Sequence, residues 1–259
     1  MPIKYCFFSL LGLVLLVPVE AKAQLGRADT RTVVPEVVMK ERKQWGADLA
    51  FGGSFNRGNV SGNNLSGNFD IFKNYTRSTA YITGSMAYCV INHRQLNNQG
   101  ALTLRYDHAV KGNWKIFAFS TNAYNRVIHL DYRTTTGIGP WYNLSLGETK
   151  HGISLAGIRE YEEFSGGIRE HSWRVSLRDI SRVPVSPVAE LSSDLFYSPK
   201  ADEFGDYHFF QEIALRTLIW RDTLGLKLSW AYLYDSRPRP GIKPGDILWQ
   251  TSLTLQFGR

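Results

Sequence analysis

The sequence predicts a transmembrane antiparallel up-and-down β-barrel of about twelve strands, with ten or fourteen strands as alternatives. Three observations predict it. From Trp45 onward, apolar and polar residues alternate with a period of two almost without a break. The alternating segments are roughly 9–13 residues long, close to the length that crosses a bilayer at a tilt. The connections are alternately longer and shorter, as in outer-membrane barrels.

The first residues resemble a secretion signal. Lys4 precedes an apolar run that ends at Pro18, and Ala21 and Ala23 occupy the small-residue positions that a signal peptidase reads. The apolar run is about half of the roughly 20 residues that an uncleaved helical anchor needs. We therefore expect a signal peptide over 1–23 with cleavage after Ala23, a flexible periplasmic lead-in over 24–44, and the barrel over 45–259.

Composition excludes several classes of protein. The mean hydropathy is −0.24, and no segment after the signal has 18 consecutive apolar residues, which excludes a helical membrane protein. The net charge is +7, or +6 without residues 1–23, and the basic residues are scattered, so nucleic acid is not an expected partner. Cys89 is the single cysteine after the signal, so no internal disulfide is expected.

The predicted strands follow one another in twelve segments. In the last one, Leu253, Leu255 and Phe257 alternate with Ser252, Thr254 and Gln256, which gives one dry and one wet face. Four segments, the fifth, seventh, ninth and tenth, alternate less cleanly. In chain order the segments are WGADLAFGGSF, NLSGNFDIF, AYITGSMAYCV, ALTLRYDH, WKIFAFSTNAY, HLDYRTTTGIG, GISLAGIREY, SWRVSLRD, VAELSSDLFY, YHFFQEIALRTLIW, LGLKLSWAYLY and DILWQTSLTLQFGR.

The connections indicate the orientation. The odd-numbered connections, among them NHRQLNNQ, EEFSGGIREH and DSRPRPGIKPG, are longer on the whole than the even ones, such as VKGN and GETK. Short periplasmic turns and long outer loops are typical of outer-membrane barrels, so both termini are expected in the periplasm.

The wet faces separate a membrane barrel from a soluble one. A soluble sandwich or ligand-binding barrel would carry lysine and glutamate on its solvent face, whereas these faces carry Ser, Thr, Asn, Gln and mixed charges. Aromatic residues also lie toward strand ends, where interfacial girdles form. They are Trp45, Trp114, Tyr132, Trp173, Trp220, Tyr234 and Trp249.

Three segments resemble one bacterial family. LDYRTTTGIGPWYNL, GISLAGIREYEEF and YDSRPRPGIKPGDILWQTSLTLQF are similar to the salt-induced outer-membrane proteins, domain of unknown function 481, and the resemblance covers about residues 45–257. It implies a barrel in the bacterial outer membrane, inserted by the outer-membrane assembly machinery, without an established activity or ligand.

Catalysis is not indicated. No G-x-S-x-G motif is present, and most of the six histidines fall at strand ends or in loops. His129 with Asp131, or His171 with Ser172, could begin a catalytic triad, but an ordinary girdle or loop histidine is the simpler interpretation. No group has the spacing of a metal site, and no cofactor is expected.

Charged residues on the wet faces form the candidate site. Six are basic and six acidic, which favours pairing across the lumen over a field of one sign. Arg174 and Arg178 are expected to pair with Glu190 and Asp194 on the next strand. The twelve residues are Arg105, Asp107, Asp131, Arg133, Glu160, Arg174, Arg178, Glu190, Asp194, Glu212, Arg216 and Lys227.

The predicted function is an outer-membrane β-barrel without evident catalysis. It would serve a structural or envelope-stress role, or form a narrow pore for small hydrophilic solutes or ions, because twelve strands lie between filled and open barrels. An outer-membrane enzyme of the lipase or protease type, and a soluble periplasmic ligand-binding barrel, are the alternatives.

Overall fold

Twelve antiparallel strands form one closed barrel in the computed structural model, which describes residues 44–56, 62–91, 94–220 and 223–258. Each strand pairs with its sequence neighbours, and the first also pairs with the last. The predicted signal peptide and most of the lead-in lie outside the described residues. The strands are β1 Trp45–Asn56, β2 Gly62–Asn74, β3 Ser78–Ile91, β4 Arg94–Lys111, β5 Trp114–Asn125, β6 Leu130–Leu146, β7 Thr149–Phe164, β8 Ile168–Ser186, β9 Ala189–Pro199, β10 Tyr207–Trp220, β11 Leu224–Asp235 and β12 Gly245–Gly258.

The predicted fold class and strand number are confirmed. β1 and β12 pair from Gly46 opposite Gly258 to Phe51 opposite Leu253, which closes the sheet. Closure removes the unpaired strand edges that an open sheet would present. Among the described residues, no helix is both long enough and apolar enough to cross a bilayer.

The two-residue period separates the outside of the barrel from its lumen. On β12, the side chains of Trp249 and Leu253 are 77% and 53% exposed, whereas Ser252 and Thr254 are buried inside. The same alternation runs along β5, where Ile116 is exposed and Phe117 is buried. Large apolar side chains therefore cover the outer face, as a lipid-facing surface requires.

Several strands extend further than predicted. The segment EEFSGGIREH was expected to be a connection, but only Ser165–Gly167 join β7 to β8. Glu163 lies opposite Arg169 and Phe164 opposite Ile168, so the ladder continues to the turn. Gly166 and Gly167 have φ of 94° and 78°, a left-handed conformation that glycine adopts without strain. The prediction that NHRQLNNQ is a connection was also wrong, because β4 begins at Arg94 within it.

The longest connections lie at one end of the barrel. Residues 200–206 join β9 to β10, and residues 236–244 join β11 to β12. A short 3₁₀ turn, Arg126–Ile128, lies at the same end between β5 and β6. We call this end the loop end, and the end with connections such as 112–113 and 147–148 the turn end.

Candidate functional site

The lumen is the candidate site, and it has three regions. A layer of buried charges, the mouth layer, lies toward the loop end. An aromatic cluster, the aromatic wall, fills the side of β2–β8. A cavity with polar lining, the polar cavity, lies on the side of β8–β12, β1, β2 and β3. The mouth layer consists of Arg133, Glu160, Glu162, Arg174 and Asp206; the aromatic wall consists of Phe72, Tyr81, Phe117, Phe119 and Trp141.

The mouth layer is a chain of ion pairs across three strands and one connection. Arg133 on β6 donates to Glu162 at 2.8 Å through Nε and lies 3.8 Å from Glu160. Arg174 on β8 donates to Glu160 at 3.2 Å and to Asp206 at 3.0 Å. The Arg174 guanidinium also donates to the backbone carbonyls of Ser198 and Asp206. These charges are almost fully buried, so their pairing is what makes them tolerable.

Two further residues extend the mouth layer toward β10 and β11. His208 Nε2 lies 3.8 Å from Asp235 Oδ1, and together with Asp206 they bring three potential metal-ligand atoms within 4.8 Å of one another. However, Asp206 already accepts a hydrogen bond from Arg174, and Asp235 accepts one from the backbone N–H of Arg237. We assign no metal to this group.

The aromatic wall surrounds an ion pair between two of the predicted charged residues. Arg105 donates to Asp107 at 2.6 Å on the same strand, and both side chains are buried. The guanidinium lies 4.3 Å from the centre of the Phe117 ring and 5.1 Å from that of Trp141. Such cation–π contacts are strengthened by exclusion of water. This side of the lumen is therefore a packed core.

The polar cavity gives water-sized molecules about 150 Å³ of space. Its lining reaches from β8 to β2, which are six strands apart in the barrel and so face each other. Arg178 donates to Asp194 at 2.8 Å, Lys227 lies 3.1 Å from Glu212, and Arg216 lies 3.9 Å from Asp48. The charges on the lining are balanced: Arg178, Arg182, Arg216 and Lys227 with Asp48, Asp70, Asp194 and Glu212.

An apolar cluster separates this cavity from the loop end. Phe196, Phe210 and Ala231 are buried together, with Leu233 and Leu248 packed against them. All five belong to the inward-facing positions of β9–β12. They lie closer to the loop end than the charged pairs of the polar cavity. The lumen on this side is thus apolar between the polar cavity and the loop end.

One predicted pairing and one predicted position were wrong. Glu190 does not pair with Arg174, because the β8–β9 register places Glu190 opposite Pro184 and Arg174 opposite Lys200. Glu190 faces the lumen opposite Arg216 on β10, and it lies 3.6 Å from Arg182 near the turn end. Asp131 lies beside a register shift in the β6–β7 ladder, and its carboxylate bonds to Arg126 and Ser165 at the loop end.

Eleven of the twelve predicted residues, Glu190 included, lie on the lumen face. Arg133, Glu160 and Arg174 belong to the mouth layer, Arg105 and Asp107 to the aromatic wall, and Arg178, Asp194, Glu212, Arg216 and Lys227 to the polar cavity. Sequence reasoning missed four partners of these residues: Glu162, Asp206, Arg182 and Asp48. Glu162 and Arg182 share the inward period of Glu160 and Arg178 and could have been found from it.

The contact between Ser181 and His151 does not have the geometry of a triad. Ser181 Oγ lies 2.8 Å from His151 Nδ1 and donates to Asp179 at 3.1 Å, while the same Nδ1 lies 3.9 Å from Asp179. A triad histidine uses one ring nitrogen for the serine and the other for the acid. His171, the other histidine considered for a triad with its neighbour Ser172, packs its ring on Tyr161.

Solved structures with the same architecture are distant in sequence. The NanC porin is 9% identical with a TM-score of 0.47, and the match covers 82% of this chain and 97% of that one. The KdgM porin is 8% identical over 82% and 96%, with a TM-score of 0.43. The translocator domain of the autotransporter NalP from Neisseria meningitidis is 10% identical over 82% and 86%, with a TM-score of 0.42. At this identity the likeness concerns the barrel fold, and it says nothing about a solute or an activity of this protein.

No curated protein matches the sequence. One family model does match, over residues 49–257, which is most of the chain and nearly the whole barrel. Its description is "Protein of unknown function", so the salt induction that the resemblance implied stays a prediction. The chain belongs to the family DUF481.

Proposed function

We propose that the protein is a β-barrel of the bacterial outer membrane whose lumen is a narrow passage for small hydrophilic solutes or ions. In this proposal it has no catalytic activity. Its partners are the bilayer around the apolar outer face and the assembly machinery that inserts it. The observation that carries the proposal is the polar cavity, which extends between opposite walls of the lumen.

The lining of this cavity supports a hydrophilic solute. Serine, threonine, asparagine and glutamine side chains lie between the ion pairs, and the Lys227 and Glu212 side chains are each 19% exposed. Charges that keep contact with water can exchange partners with a passing ion or hydroxyl group. A packed region of the lumen, such as the aromatic wall, leaves no room for this exchange.

The charge balance predicts weak selectivity between cations and anions. Pores that select one sign of ion present a ring or excess of the opposite charge. Here four basic side chains on the lining face four acidic ones. We expect a small current with little preference for either sign.

The test measures the reversal potential of the purified protein in planar bilayers under a salt gradient. Lys227→Gln removes one positive charge and is expected to shift selectivity toward cations. Glu212→Gln is expected to shift it toward anions, because the two groups lie 3.1 Å apart and feel the same solute. The double variant is the matched control and should restore the selectivity of the unmodified protein.

Other outcomes would contradict the proposal. Absence of current in the unmodified protein and in all three variants would leave a structural role. Recovery of the protein in the soluble periplasmic fraction would support a ligand-binding barrel instead. Turnover of phospholipid or peptide by the purified protein would contradict the absence of catalysis.

A further inference from the structure

The connection Ser236–Pro244, which we call the mouth strap, is longer than its position requires. It joins β11 to β12, which are hydrogen-bonded neighbours. Its base is closed by a bond from the Asp235 N–H to the Pro244 carbonyl at 2.7 Å, and Gly241 turns the chain with φ of 84°. A tight turn of a few residues would join these two strands. The additional residues are therefore available for another contact.

The mouth strap makes that contact on the opposite wall. Ile242 packs against a buried apolar cluster of Ala123, Ile128, Leu130 and Phe164, on and between β5, β6 and β7. In the order of the barrel, β6 is five strands from β11 and six from β12, which is the far side of a twelve-stranded ring. The strap thus crosses the loop end of the lumen.

Arg239 provides a second contact with the far wall. Its Cζ atom lies 3.3 Å from the centre of the Phe164 ring, and its guanidinium bonds to Glu170 on β8. A third contact, Arg237 with Glu203 at 2.5 Å, joins the strap to the connection between β9 and β10. A guanidinium group over an aromatic ring is a favourable arrangement, so the contact of Arg239 with Phe164 helps to hold the strap across the lumen.

The strap covers the mouth layer. Asp235, at the base of the strap, acts electrostatically on Arg133 on the far wall. Asp206 and Arg174 bridge the connection 200–206 to β8 on the near side of this layer. A solute that enters the lumen from the loop end must therefore pass the strap before it reaches the apolar cluster and the polar cavity.

The strap can leave this position without breaking the barrel. The ladder between β11 and β12 runs from Tyr234 opposite Gly245 to Leu224 opposite Leu255, and none of it includes the strap. The Arg237–Glu203 pair is about half exposed, and exposed pairs contribute little to stability. Ile242 and Arg239 are then the anchors on the far wall, because Ile242 packs against an apolar cluster and Arg239 lies over the Phe164 ring.

From these contacts we infer that the mouth strap is a gate, which closes the loop end of the lumen when Ile242 docks on the far wall and opens it on release. The inference rests on the proposed passage. It assigns to Ile242 and Arg239 a role that neither strand pairing nor the lumen charges require.

A cross-link tests the gate. Ile242→Cys with Ala123→Cys, in a Cys89→Ala background, places one thiol on the strap and one on the far wall. We expect a disulfide, or a bridge by a short bis-methanethiosulfonate that forms a mixed disulfide with each thiol and releases two sulfinates, to form in high yield and to abolish the current. Reduction should restore it. The two single-cysteine variants are controls and should conduct alike before and after oxidation.

A shortened strap gives an independent test. Replacing Arg237–Lys243 with Asn-Gly should remove the gate and increase the fraction of time that the barrel conducts. Ile242→Ser is expected to raise the ratio of open to closed states about tenfold, because one apolar anchor is lost. Ile247→Ser, on the exposed outer face of β12, is its matched control and should leave the ratio unchanged.

The outcomes separate the two proposals. Failure of every cross-linking reagent to join positions 242 and 123 would overturn the docked strap. Current that is the same in locked and shortened forms would overturn the gate and leave the passage intact. Absence of current in the unmodified and shortened forms alike would overturn the passage, and the gate with it.

Discussion

The mouth layer and the polar cavity use the same chemistry in opposite surroundings. In the mouth layer, the Arg133 and Glu160 side chains are each 1% exposed and are fixed between three strands. In the polar cavity, Lys227 and Glu212 lie as close to each other but remain partly hydrated. An ion pair in a barrel lumen thus fills space when it is buried from water, and it lines a passage when it remains hydrated. Pairing alone therefore does not distinguish a plug from a pore.

Removal of one carboxylate should give the largest difference between the two surroundings. Glu160→Gln leaves Arg133 and Arg174 with one less partner in a dry layer, so we expect a loss of about 3–5 kcal/mol in the free energy of unfolding. Glu190→Gln is the matched control, because this glutamate is 41% exposed and lies 3.6 Å from its arginine. Its expected cost is below about 1 kcal/mol. Urea unfolding in lipid vesicles measures both; equal losses would remove the distinction between the two regions.

Adjacent positions on β11 test whether the cavity accepts a charge that the lipid face does not. Leu228 lies on the outer face and Ser229 lines the polar cavity. Leu228→Arg should cost about 2–4 kcal/mol, because it places a cation near the middle of the bilayer. Ser229→Arg should fold into vesicles with the efficiency of the unmodified protein. If Ser229→Arg were the more damaging change, the cavity would be packed instead of hydrated.

A double-mutant cycle measures the Arg178–Asp194 pair, which is less buried than the Arg133–Glu160 pair of the mouth layer and less exposed than a surface pair. Arg178 is buried, but Asp194 is 20% exposed on the cavity wall. We expect a coupling energy of about 1.5–3 kcal/mol from Arg178→Ala, Asp194→Ala and the double variant, since hydrogen bonds to charged groups contribute that much. The same unfolding assay measures it. A coupling near zero would mean that water screens this pair as fully as it would on the surface.

The architecture was predictable because it depends on the two-residue alternation of apolar and polar side chains, and this alternation can be read from a single sequence. Alternation from Trp45 to Phe257 predicted the barrel and the inward position of eleven of the twelve charged residues. Partner choice was less predictable, because it depends on register. Arg174 and Glu190 have the correct spacing, but the short turn between β8 and β9 sets Glu190 opposite Pro184.

Two other features left weak signals in the sequence. Phe117 and Phe119 lie on the inward face of a segment whose outward face is also apolar, so its alternation was unclear and the aromatic wall was missed. Asp206 belongs to a connection, where no period applies, yet it completes the mouth layer. Residues of connections enter the lumen through tertiary contacts, and a strand pattern contains no information about those contacts.

The closure between β1 and β12 determines the order in which the barrel can form. In the described chain, β1 pairs with β12 along Gly46–Phe51, whereas it pairs with β2 along its full length, Trp45–Asn56. The two partners of this seam lie at opposite ends of the barrel sequence, so closing it carries the highest loop-closure entropy of any strand pair. The first strand must therefore wait for the last with one edge unpaired, and such edges template aggregation. We therefore expect the shortest seam of this barrel to close last, with the free edge of β1 protected from other chains until then.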